Sequence, residues 1–479
     1  LLGIFGRINY DYMSRYLFEV SGRYDGTSRF ARGNRWGFFP SASVGWRISE
    51  EPFFQPARRL VDNLKIRASF GSLGNQNVSS YYTFARLVSI ANLGYTFGEG
   101  SVLPKYSTLG APIASDMTWE TAQQWDFGFD LTMLGNRLNL TVDGYIRDTR
   151  DMLTDGVELP AVYGASVPDM NAADLRTKGY EITLNWRDQL TLAGKPFEYS
   201  VGVNLSDYKS VVTKYDNKDK TFAQPYYEGM EIGEIWGFVT DGLFQSDEEA
   251  QAYAEQLDLS YVLKGQTGGW QAGDVKFVNL DGDNKIGIGS NNVDNPGDRK
   301  ILGNSLPSLS YGITASVRWN GIDVSAFFQG TGNHYWYPDG ESMPFWGAYS
   351  YPYLSFLQKD FLKDVWSPEN TDAYFPRAMA YSASGGVLSN VNDRYLQNIR
   401  YMRFKNLTVG YTLPQQWTKK AGIESVRVYF TGENLCYWSP LKKHSKYVDP
   451  EGAIDRSGAY NNAFYPWQKS FLFGIDVTF

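Results

Sequence analysis

Apolar residues stand at every second position in many segments of about ten residues in this chain of 479 residues. The clearest segment is SYGITASVRWNGIDVSAFFQG, which begins at Ser310. Successive side chains of a strand point to opposite faces of a sheet, so this pattern predicts two strands that each have one apolar and one polar face. Asn320 and Gly321, which lie between the two strands, favour the tight turn of an antiparallel hairpin.

The same pattern recurs along the whole chain. WDFGFDLTMLGNRLNLTVDGYI, from Trp125 to Ile146, predicts a second hairpin, and residues 180–186 and 197–205 predict a third. Aromatic residues make up 16% of the chain and glycine occurs 48 times, a composition that suits strands and turns. We therefore predict an all-β fold of about thirteen strands, which begin near residues 3, 14, 38, 63, 122, 137, 178, 196, 309, 322, 403, 425 and 469.

The lengths of the strands and connections favour a membrane barrel over a soluble sandwich. Strands in soluble proteins average about 5 to 6 residues, whereas a tilted strand of about ten residues crosses a bilayer. Short links alternate with long ones, and short periplasmic turns alternating with long extracellular loops are typical of outer-membrane barrels. We predict an antiparallel transmembrane β-barrel with long loops at about residues 73–121, 149–177, 207–308, 331–402 and 434–468.

The last strand, SFLFGIDVTF, orients this barrel. If it descends to the periplasm, every long loop falls outside and every short turn falls inside. Trp46, Trp186 and Trp319 then lie near the periplasmic ends of their strands, where interfacial aromatic residues are expected. The terminal Phe479 resembles the signal by which outer-membrane barrels are recognised for assembly, and we predict that role for it.

Charge and rare residues argue against several functions. The net charge is −7 and no block of basic residues occurs, so nucleic acid is not expected as a partner. His334 and His444 are the two histidines and lie in predicted loops far apart in the sequence, which argues against a histidine-based catalytic triad or a zinc site. We expect no enzymatic activity, and a barrel hydrolase is the least favoured function.

The predicted number of strands is odd. The first and last strands would run in the same direction and could not close as an antiparallel pair, and an open edge in lipid leaves backbone groups unsatisfied. Residues 1–479 are therefore expected to form the C-terminal portion of one larger transmembrane barrel domain whose first strands are absent. The missing portion would come from the same polypeptide or from a second chain.

Several blocks of sequence resemble the SusC/RagA-type TonB-dependent transporters of Bacteroidetes outer membranes. They occur in the order of that family and together cover nearly the whole chain. The resemblance implies a barrel of about 22 strands around a plug domain, of which these would be the tenth to the last. The blocks are NLKIRASFGSLGNQNV from Asn63, WETAQQWDFGFDLTMLGNRLNLTVDGYIRDTRDML from Trp119, GDVKFVNLDGDNKIG from Gly273, SYGITASVRWNGIDVSAFFQGTGN from Ser310 and YFTGENL from Tyr429.

By resemblance, the complete protein would be an active importer of nutrients too large for porins, typically oligosaccharides or peptides. A SusD-like surface lipoprotein would cover the extracellular mouth, and the TonB complex would act on the plug through a segment that is not in this chain. The expected location is the outer membrane of a Gram-negative, Bacteroidetes-like cell, where the barrel contacts lipid. A passive porin or an adhesin-type barrel, without plug or TonB dependence, is the alternative.

NLDGDNKIG, which begins at Asn279, has the spacing of oxygen ligands found in a calcium-binding loop. Asn279, Asp281 and Asp283 stand at positions 1, 3 and 5, and the carbonyl of Lys285 could serve as the seventh-position ligand. Positions 6 and 12 carry Asn and Ser instead of the usual glycine and glutamate. Residues 279–290 are therefore a candidate calcium loop, and an Asx-rich turn without metal is the alternative.

GNHYWYPDGESMPFWGAYSYPYLSF, residues 332–356, crowds aromatic rings into one predicted extracellular loop. Such rings can stack on sugars or pack against a protein lid. The alternative is a loop that uses its aromatic residues, which also include Phe345, Tyr351 and Tyr353, to fold against its neighbours. We predict substrate or lid contact for Tyr335, Trp336, Tyr337, Trp346 and Tyr349.

Charged residues on the polar face of the strands would line the barrel interior. Arg23, Arg67, Asp130 and Asp143 are candidates for contact with a plug or with the substrate. A solvated interior that carries these charges without a specific partner is the alternative.

Overall fold

The structure is a computed structural model, and it describes residues 1–78, 83–96, 103–114, 116–155, 162, 167–264, 266, 268–353, 357–445, 447–453 and 467–479. Parts of each predicted long loop lie outside these ranges. The strands are β1 (Leu2–Tyr12), β2 (Tyr16–Gly26), β3 (Trp36–Arg47), β4 (Val61–Asn75), β5 (Val88–Asn92), β6 (Lys105–Leu109), β7 (Glu120–Met133), β8 (Leu138–Asp155), β9 (Asp169–Leu192), β10 (Lys195–Lys214), β11 (Glu234–Phe238), β12 (Thr240–Leu243), β13 (Val275–Phe277), β14 (Arg299–Asn304), β15 (Ser310–Trp319), β16 (Ile322–Thr331), β17 (Tyr335–Trp336), β18 (Gln397–Asn398), β19 (Tyr401–Thr412), β20 (Ser425–Trp438) and β21 (Ser470–Thr478). The α-helices are α1 (Asp247–Gln256), α2 (Ser260–Leu263), α3 (Met343–Trp346) and α4 (Gln415–Thr418), and short 3₁₀ segments lie at Arg32–Asn34, Ile48–Glu50, Pro52–Arg59, Gly347–Tyr349, Phe361–Lys363, Val387–Ser389, Lys419–Ala421 and Pro440–Lys443.

One large sheet dominates the fold. Within the described residues it contains thirteen strands in the order β1-β2-β3-β4-β7-β8-β9-β10-β15-β16-β19-β20-β21. The pairs β1–β2, β7–β8, β15–β16 and β19–β20, for example, are antiparallel. The predicted all-β, antiparallel sheet of about thirteen strands is therefore confirmed.

The tight turns have the backbone geometry that their sequences predict. Asn320 and Gly321 join β15 to β16 with φ angles of 50° and 84°, as a type I′ turn requires. Residues 13–15 join β1 to β2, and two of them, Met13 and Ser14, also have positive φ, at 53° and 56°. Because turn length and type set the register of a hairpin, these residues determine which side chains share a face.

Three strands are much longer than the sequence pattern predicts. β8, β9 and β10 contain 18, 24 and 20 residues and extend into regions predicted as loops. The first ten residues of β9, DMNAADLRTK, lack the alternating apolar residues of a lipid-facing strand. Periodicity therefore could not identify this part of β9 as a strand.

The apolar face of the strands is exposed. In β21, Phe471, Phe473 and Ile475 are 60%, 83% and 67% exposed. An apolar face this large needs an apolar surrounding phase, which lipid supplies to a transmembrane barrel. Phe479, which follows β21, is also exposed, and its role as an assembly signal stays a prediction.

The chain divides into two compact units, of which unit 1 has a small core and a separate hairpin. Phe30, Phe39, Met117 and Trp119 form that core, and the indole N–H of Trp119 donates to a backbone carbonyl at 3.2 Å. The hairpin is the two-stranded sheet β5–β6. Unit 1 comprises Leu1–Glu181, Tyr208–Lys218 and Gln224–Glu231.

Unit 2 has a larger core that is built mainly from its loops. Two-stranded sheets β11–β14, β12–β13 and β17–β18 order these loops. Ser246 caps helix α1 by accepting a hydrogen bond from the Glu249 amide at 3.2 Å. None of the helices in the described ranges is long and apolar enough to cross a membrane. Unit 2 comprises Ile182–Asp207, Asp219–Ala223 and Ile232–Phe479.

Candidate functional site

Several rings of the predicted aromatic loop belong to the core of unit 2. Trp336, Trp346 and Tyr349 are buried there. The ring centroid of Trp346 lies 5.4 Å from that of Tyr395, and Tyr349 stacks with Phe375 at 5.6 Å. These contacts join residues 332–356 to two segments further along the same predicted long loop. The core also contains residues of other loops, such as Phe244 and Leu441, so it holds the loops of unit 2 together.

The polar atoms of these rings are satisfied inside the core. The indole N–H of Trp346 donates to the Pro338 carbonyl at 3.1 Å, and the Tyr349 hydroxyl donates to the Pro376 carbonyl at 2.5 Å. The Tyr337 hydroxyl donates to a backbone carbonyl at 2.7 Å. Burial raises the pKa of both tyrosine hydroxyls, so they stay protonated as donors.

The five residues predicted to contact substrate or lid therefore differ in exposure. Trp346 and Tyr349 are fully buried, Trp336 is buried, and Tyr335 and Tyr337 are half-buried. This packing agrees with the alternative interpretation, in which the loop uses its aromatic residues to fold against its neighbours. Contact of these residues with a substrate or a lid stays a prediction.

A second group of rings, which we call the tyrosine edge, is more exposed than this core. It consists of Tyr351, Tyr353 and Tyr381, and the ring centroid of Tyr351 lies 5.9 Å from that of Tyr353 and 6.0 Å from that of Tyr381. Tyr353 is 70% exposed and Tyr381 is 47% exposed. Sequence reasoning missed Tyr381 because it stands alone among small and polar residues, and only its spatial contact with Tyr351 reveals it.

In the candidate calcium loop, side-chain oxygens accept hydrogen bonds from the loop's own backbone. Asn279 Oδ1 accepts from the Gly282 amide at 2.7 Å. Asp281 Oδ1 accepts from the Asp283 amide at 3.1 Å, and Asp283 Oδ1 accepts from the Lys285 amide at 2.8 Å. These bonds are those of an Asx-rich turn. Calcium binding stays a prediction, and calorimetry with added calcium on the wild type and on Asp281→Ala with Asp283→Ala tests it.

Asp298 anchors the same loop from within the protein. Its buried carboxylate accepts from the Leu280 amide at 2.6 Å and from the Gly287 amide at 2.8 Å. Burial is the largest influence on this group and raises its pKa, although the backbone hydrogen bonds act in the opposite direction. Among the described residues, no group of three or more His, Cys, Asp or Glu is placed to hold a metal.

In unit 1, the structure brings together three of the four charged residues predicted on the polar face. Both terminal nitrogens of Arg67 contact the Asp143 carboxylate, at 2.6 and 2.7 Å, and its Nε lies 3.3 Å from Asp130 Oδ2. Gly128 leaves the space for this cluster, because a Cβ there would lie 2.2 Å from Asp143 Oδ1. Arg23 instead pairs with a carboxylate of its own strand at 3.0 Å.

Unit 2 contains a second cluster of the same kind. Arg427 of β20 donates two hydrogen bonds to Asp323 of β16, at 2.9 and 2.7 Å, and one to Asp476 at 3.0 Å. Gly410 lies on the strand between them, and a Cβ there would lie 2.5 Å from Asp323 Oδ1. In both clusters an arginine reaches across a glycine of the neighbouring strand, so these polar-face charges have specific partners.

Comparison with known proteins identifies the class of protein to which this sheet belongs. The family model described as "TonB dependent receptor-like, beta-barrel" matches residues 1–240. The whole chain aligns at 29% identity with TonB-dependent receptor P3 of Formosa agariphila and at 28% identity with TonB-dependent receptor SusC of Bacteroides thetaiotaomicron, covering 45% and 44% of those proteins. The solved RagAB peptide transporter has a similar fold, with a TM-score of 0.73 at 20% identity over 100% of this chain and 47% of that one.

The sheet has an exposed apolar face, and together with these matches it defines the class of protein as an antiparallel β-barrel of the outer membrane. The chain belongs to the TonB dependent receptor-like β-barrel family. This confirms the resemblance drawn from the sequence blocks. The chain spans about half the length of the curated relatives it matches, between 44% and 46%.

Proposed function

We propose that the complete protein imports nutrients across the outer membrane of a Gram-negative, Bacteroidetes-like cell, with energy supplied through the TonB complex. The observation that carries this proposal is the thirteen-stranded antiparallel sheet with an exposed apolar face, described in a chain of the TonB dependent receptor-like family. Such a sheet forms the wall of a barrel in lipid. Strands and a plug outside these 479 residues complete the proposed transporter.

The proposed substrates are oligosaccharides or peptides. The similarity to a protein described as a peptide transporter supports the peptide class, and the similarity to SusC supports the same general role in uptake. The exposed phenol rings of the tyrosine edge suit both classes, because aromatic rings pack on sugar faces as well as on apolar side chains. We assign the first contact with substrate or lid to this edge and to half-buried Tyr335.

The proposed partners are a SusD-like surface lipoprotein and the TonB complex. In most pre-organised complexes the interface backbone moves little on binding. The buried aromatic core of unit 2 supports such an interface by holding several loop segments together. TonB acts through a segment outside the 479 residues. The loops of unit 2 are therefore assigned to the lid and the substrate, and energy coupling is assigned to the rest of the protein.

Uptake by whole cells tests the proposal. Cells that express the full-length protein are supplied with labelled oligosaccharides or labelled peptides, with and without the gene for TonB. We expect uptake of one class, and loss of that uptake when TonB is removed. A passive porin would retain uptake without TonB, and an adhesin would bind cells or ligands without uptake, so either result contradicts the proposal.

The tyrosine edge has its own test in the same cells. Replacing Tyr353 and Tyr381 by alanine is expected to raise the substrate concentration needed for half-maximal uptake several-fold, at an unchanged level of the protein on the surface. Leu362→Ala is the control, because Leu362 is an exposed apolar residue of the same predicted long loop that lies outside the edge. Normal uptake by the double variant would remove the contact role and leave the transport role intact.

A further inference from the structure

A groove of about 690 Å³ lies in unit 2 where strands β15, β16, β19 and β20 meet their long loops. We call it the rim groove. Its walls include apolar and aromatic side chains, and two basic residues stand at its loop side. The residues that matter here are Tyr311, Met402, Cys436, Trp438, Arg400 and Lys442.

The walls of the rim groove belong to the apolar face of the sheet. Tyr311 pairs with Gly330, Gly330 pairs with Met402, and Met402 pairs with Trp438. Side chains directly opposite each other in paired strands share a face, so these residues form one row across four strands. Tyr311 is the first residue of the apolar series of β15, and the row is therefore on the same side as the exposed apolar residues.

The centre of this row carries no side chain, because Gly330 stands there. A Cβ at Gly330 would lie 2.2 Å from the Tyr401 carbonyl oxygen and 2.5 Å from the Tyr311 hydroxyl, so glycine is the residue that fits. The Tyr311 hydroxyl donates to that carbonyl at 3.2 Å, so the Tyr311 ring lies against Gly330. Half-buried Cys436, which lies one row further from the loops, extends the groove along the strands.

The two basic residues at the loop side differ from their neighbours in having no acidic partner among the residues that the structure describes. Arg400 and Lys442 are exposed and form no ion pair with any residue in the described ranges. Arg403 and Lys405 of β19 differ, because Glu451 and a neighbouring aspartate neutralise them at 2.5 to 3.0 Å. The ammonium group of Lys442 donates to the Tyr437 carbonyl and lies 3.6 Å from the centroid of the Tyr437 ring, so it is held at the end of β20 without an acidic partner in the described ranges.

We propose that the rim groove binds a phosphorylated lipid of the outer leaflet, with the phosphate at Arg400 and Lys442 and an acyl chain between Tyr311 and Trp438. The inference rests on the proposed orientation, in which the long loops face outward. Basic residues without an ion pair in the described ranges, beside an apolar groove at the boundary of the hydrocarbon, match an anionic lipid, because one end of the site suits a headgroup and the other an acyl chain. Tyrosine and tryptophan are the residues expected at that boundary.

Native mass spectrometry of the full-length protein in a non-ionic detergent tests this site. The probe is lipid A with two phosphates, compared with the same lipid after removal of both phosphates. We expect the wild type to retain the phosphorylated probe, and Arg400→Gln with Lys442→Gln to weaken retention about tenfold. Arg400→Lys with Lys442→Arg keeps both charges and is expected to retain the lipid.

Lys419→Gln with Lys420→Gln is the matched control. These two exposed lysines lie beyond the other end of β19, so the variant makes the same change in net charge and should retain lipid as the wild type does. The proposal would be overturned if the glutamine variant of Arg400 and Lys442 retained the phosphorylated lipid as well as the wild type does. It would also be overturned if the wild type retained the dephosphorylated lipid equally well. Displacement of the lipid by equimolar inorganic phosphate would also overturn it, because the site would then bind a free anion.

Protease added outside whole cells tests the orientation separately. Cleavage in the loops of unit 2 supports the proposed orientation. Protection of these loops would overturn the orientation on which the transport proposal rests, whereas the lipid measurement on purified protein would still report whether the groove binds phosphate and acyl chain together.

Discussion

The loops and the strands of unit 2 place their apolar side chains in opposite ways. Trp346, Tyr349 and Tyr395 of the loops are fully buried against one another. Phe473 and Ile475 of β21 are as apolar, yet they are exposed along the outer face of the sheet. The loops therefore exclude water with a core of their own, as a soluble protein does, whereas the strands depend on lipid to do so.

The largest effect is expected from removing a ring of the loop core. Trp346→Ala leaves a cavity among rings that cannot all collapse into it, and we expect local unfolding of the loops to become easier by about 3 to 5 kcal/mol. Limited proteolysis in increasing denaturant measures this change. Phe473→Ala is the control from the strands, and loops that become equally sensitive in both variants would contradict the distinction between the two regions.

A comparable effect is expected where the loops are tied to the strands. Arg403 of β19 is buried, and its Nη2 contacts both oxygens of Asp449 at 2.5 and 2.6 Å. Its Nε lies 3.0 Å from Glu451. Arg403→Met would leave buried carboxylates without this partner and is expected to cost about 3 to 5 kcal/mol, again measured by proteolysis of the loops.

Arg427→Met is the matched change within the sheet. Arg427 and its partners are partly exposed to solvent, so this loss is expected to be nearer 1 kcal/mol. Equal losses of stability in the two variants would show that burial beneath the loops does not strengthen the ion pairs of Arg403.

A charge on the outer face tests the dependence of the strands on lipid. Ile475→Lys is expected to lower the stability of the sheet in a bilayer by about 2 to 4 kcal/mol, because the ammonium group would enter hydrocarbon. Leu472→Lys places the same group on the opposite, polar face of β21 and is expected to be tolerated. The fraction of protein that resists unfolding in detergent on a gel measures both variants, and equal behaviour would reject the assignment of the two faces.

The sequence reveals the strands better than the loops, because strand contacts have a period and loop contacts do not. Alternation in segments such as residues 310–331, with Asn320 and Gly321 at the turn, is enough to predict a hairpin and its faces. Alternation also placed Arg67 and Asp143 on the polar face. It could not predict that they meet, because the contact depends on the register of three strands and on the space above Gly128.

The candidate site lies in the loops and was therefore harder to predict. The sequence identifies a cluster of aromatic residues, but it does not distinguish Trp346, which is buried, from Tyr353, which is exposed. Their difference arises from contacts with segments far along the chain, such as those of Tyr395 and Tyr381. No local pattern encodes those contacts.

The smallest effect is a pH dependence confined to the loops. The ring of His444 stacks on Tyr374 at 3.6 Å, and burial, with help from Lys443 and Arg394, lowers the pKa of His444 to about 4. Because the pKa in the folded loops is below the unfolded value of about 6.5, the associated stability is fully present above pH 6.5 and is lost as the pH falls toward about 4. Since the ring is only half-buried, we expect a loss on the order of 1 kcal/mol, seen as faster proteolysis of the loops at pH 4.5 than at pH 7.5.

His444→Phe separates titration of this ring from its packing. Phenylalanine can keep the stacking on Tyr374 and cannot be protonated, so the variant should lose the part of the pH dependence that belongs to His444. The outer face of β21 carries no histidine, and its response to Ile475→Lys should be the same at both pH values. If the pH dependence of proteolysis persists unchanged in His444→Phe, a residue other than His444 must titrate in the loops. That result would contradict the assignment of the pH dependence to His444.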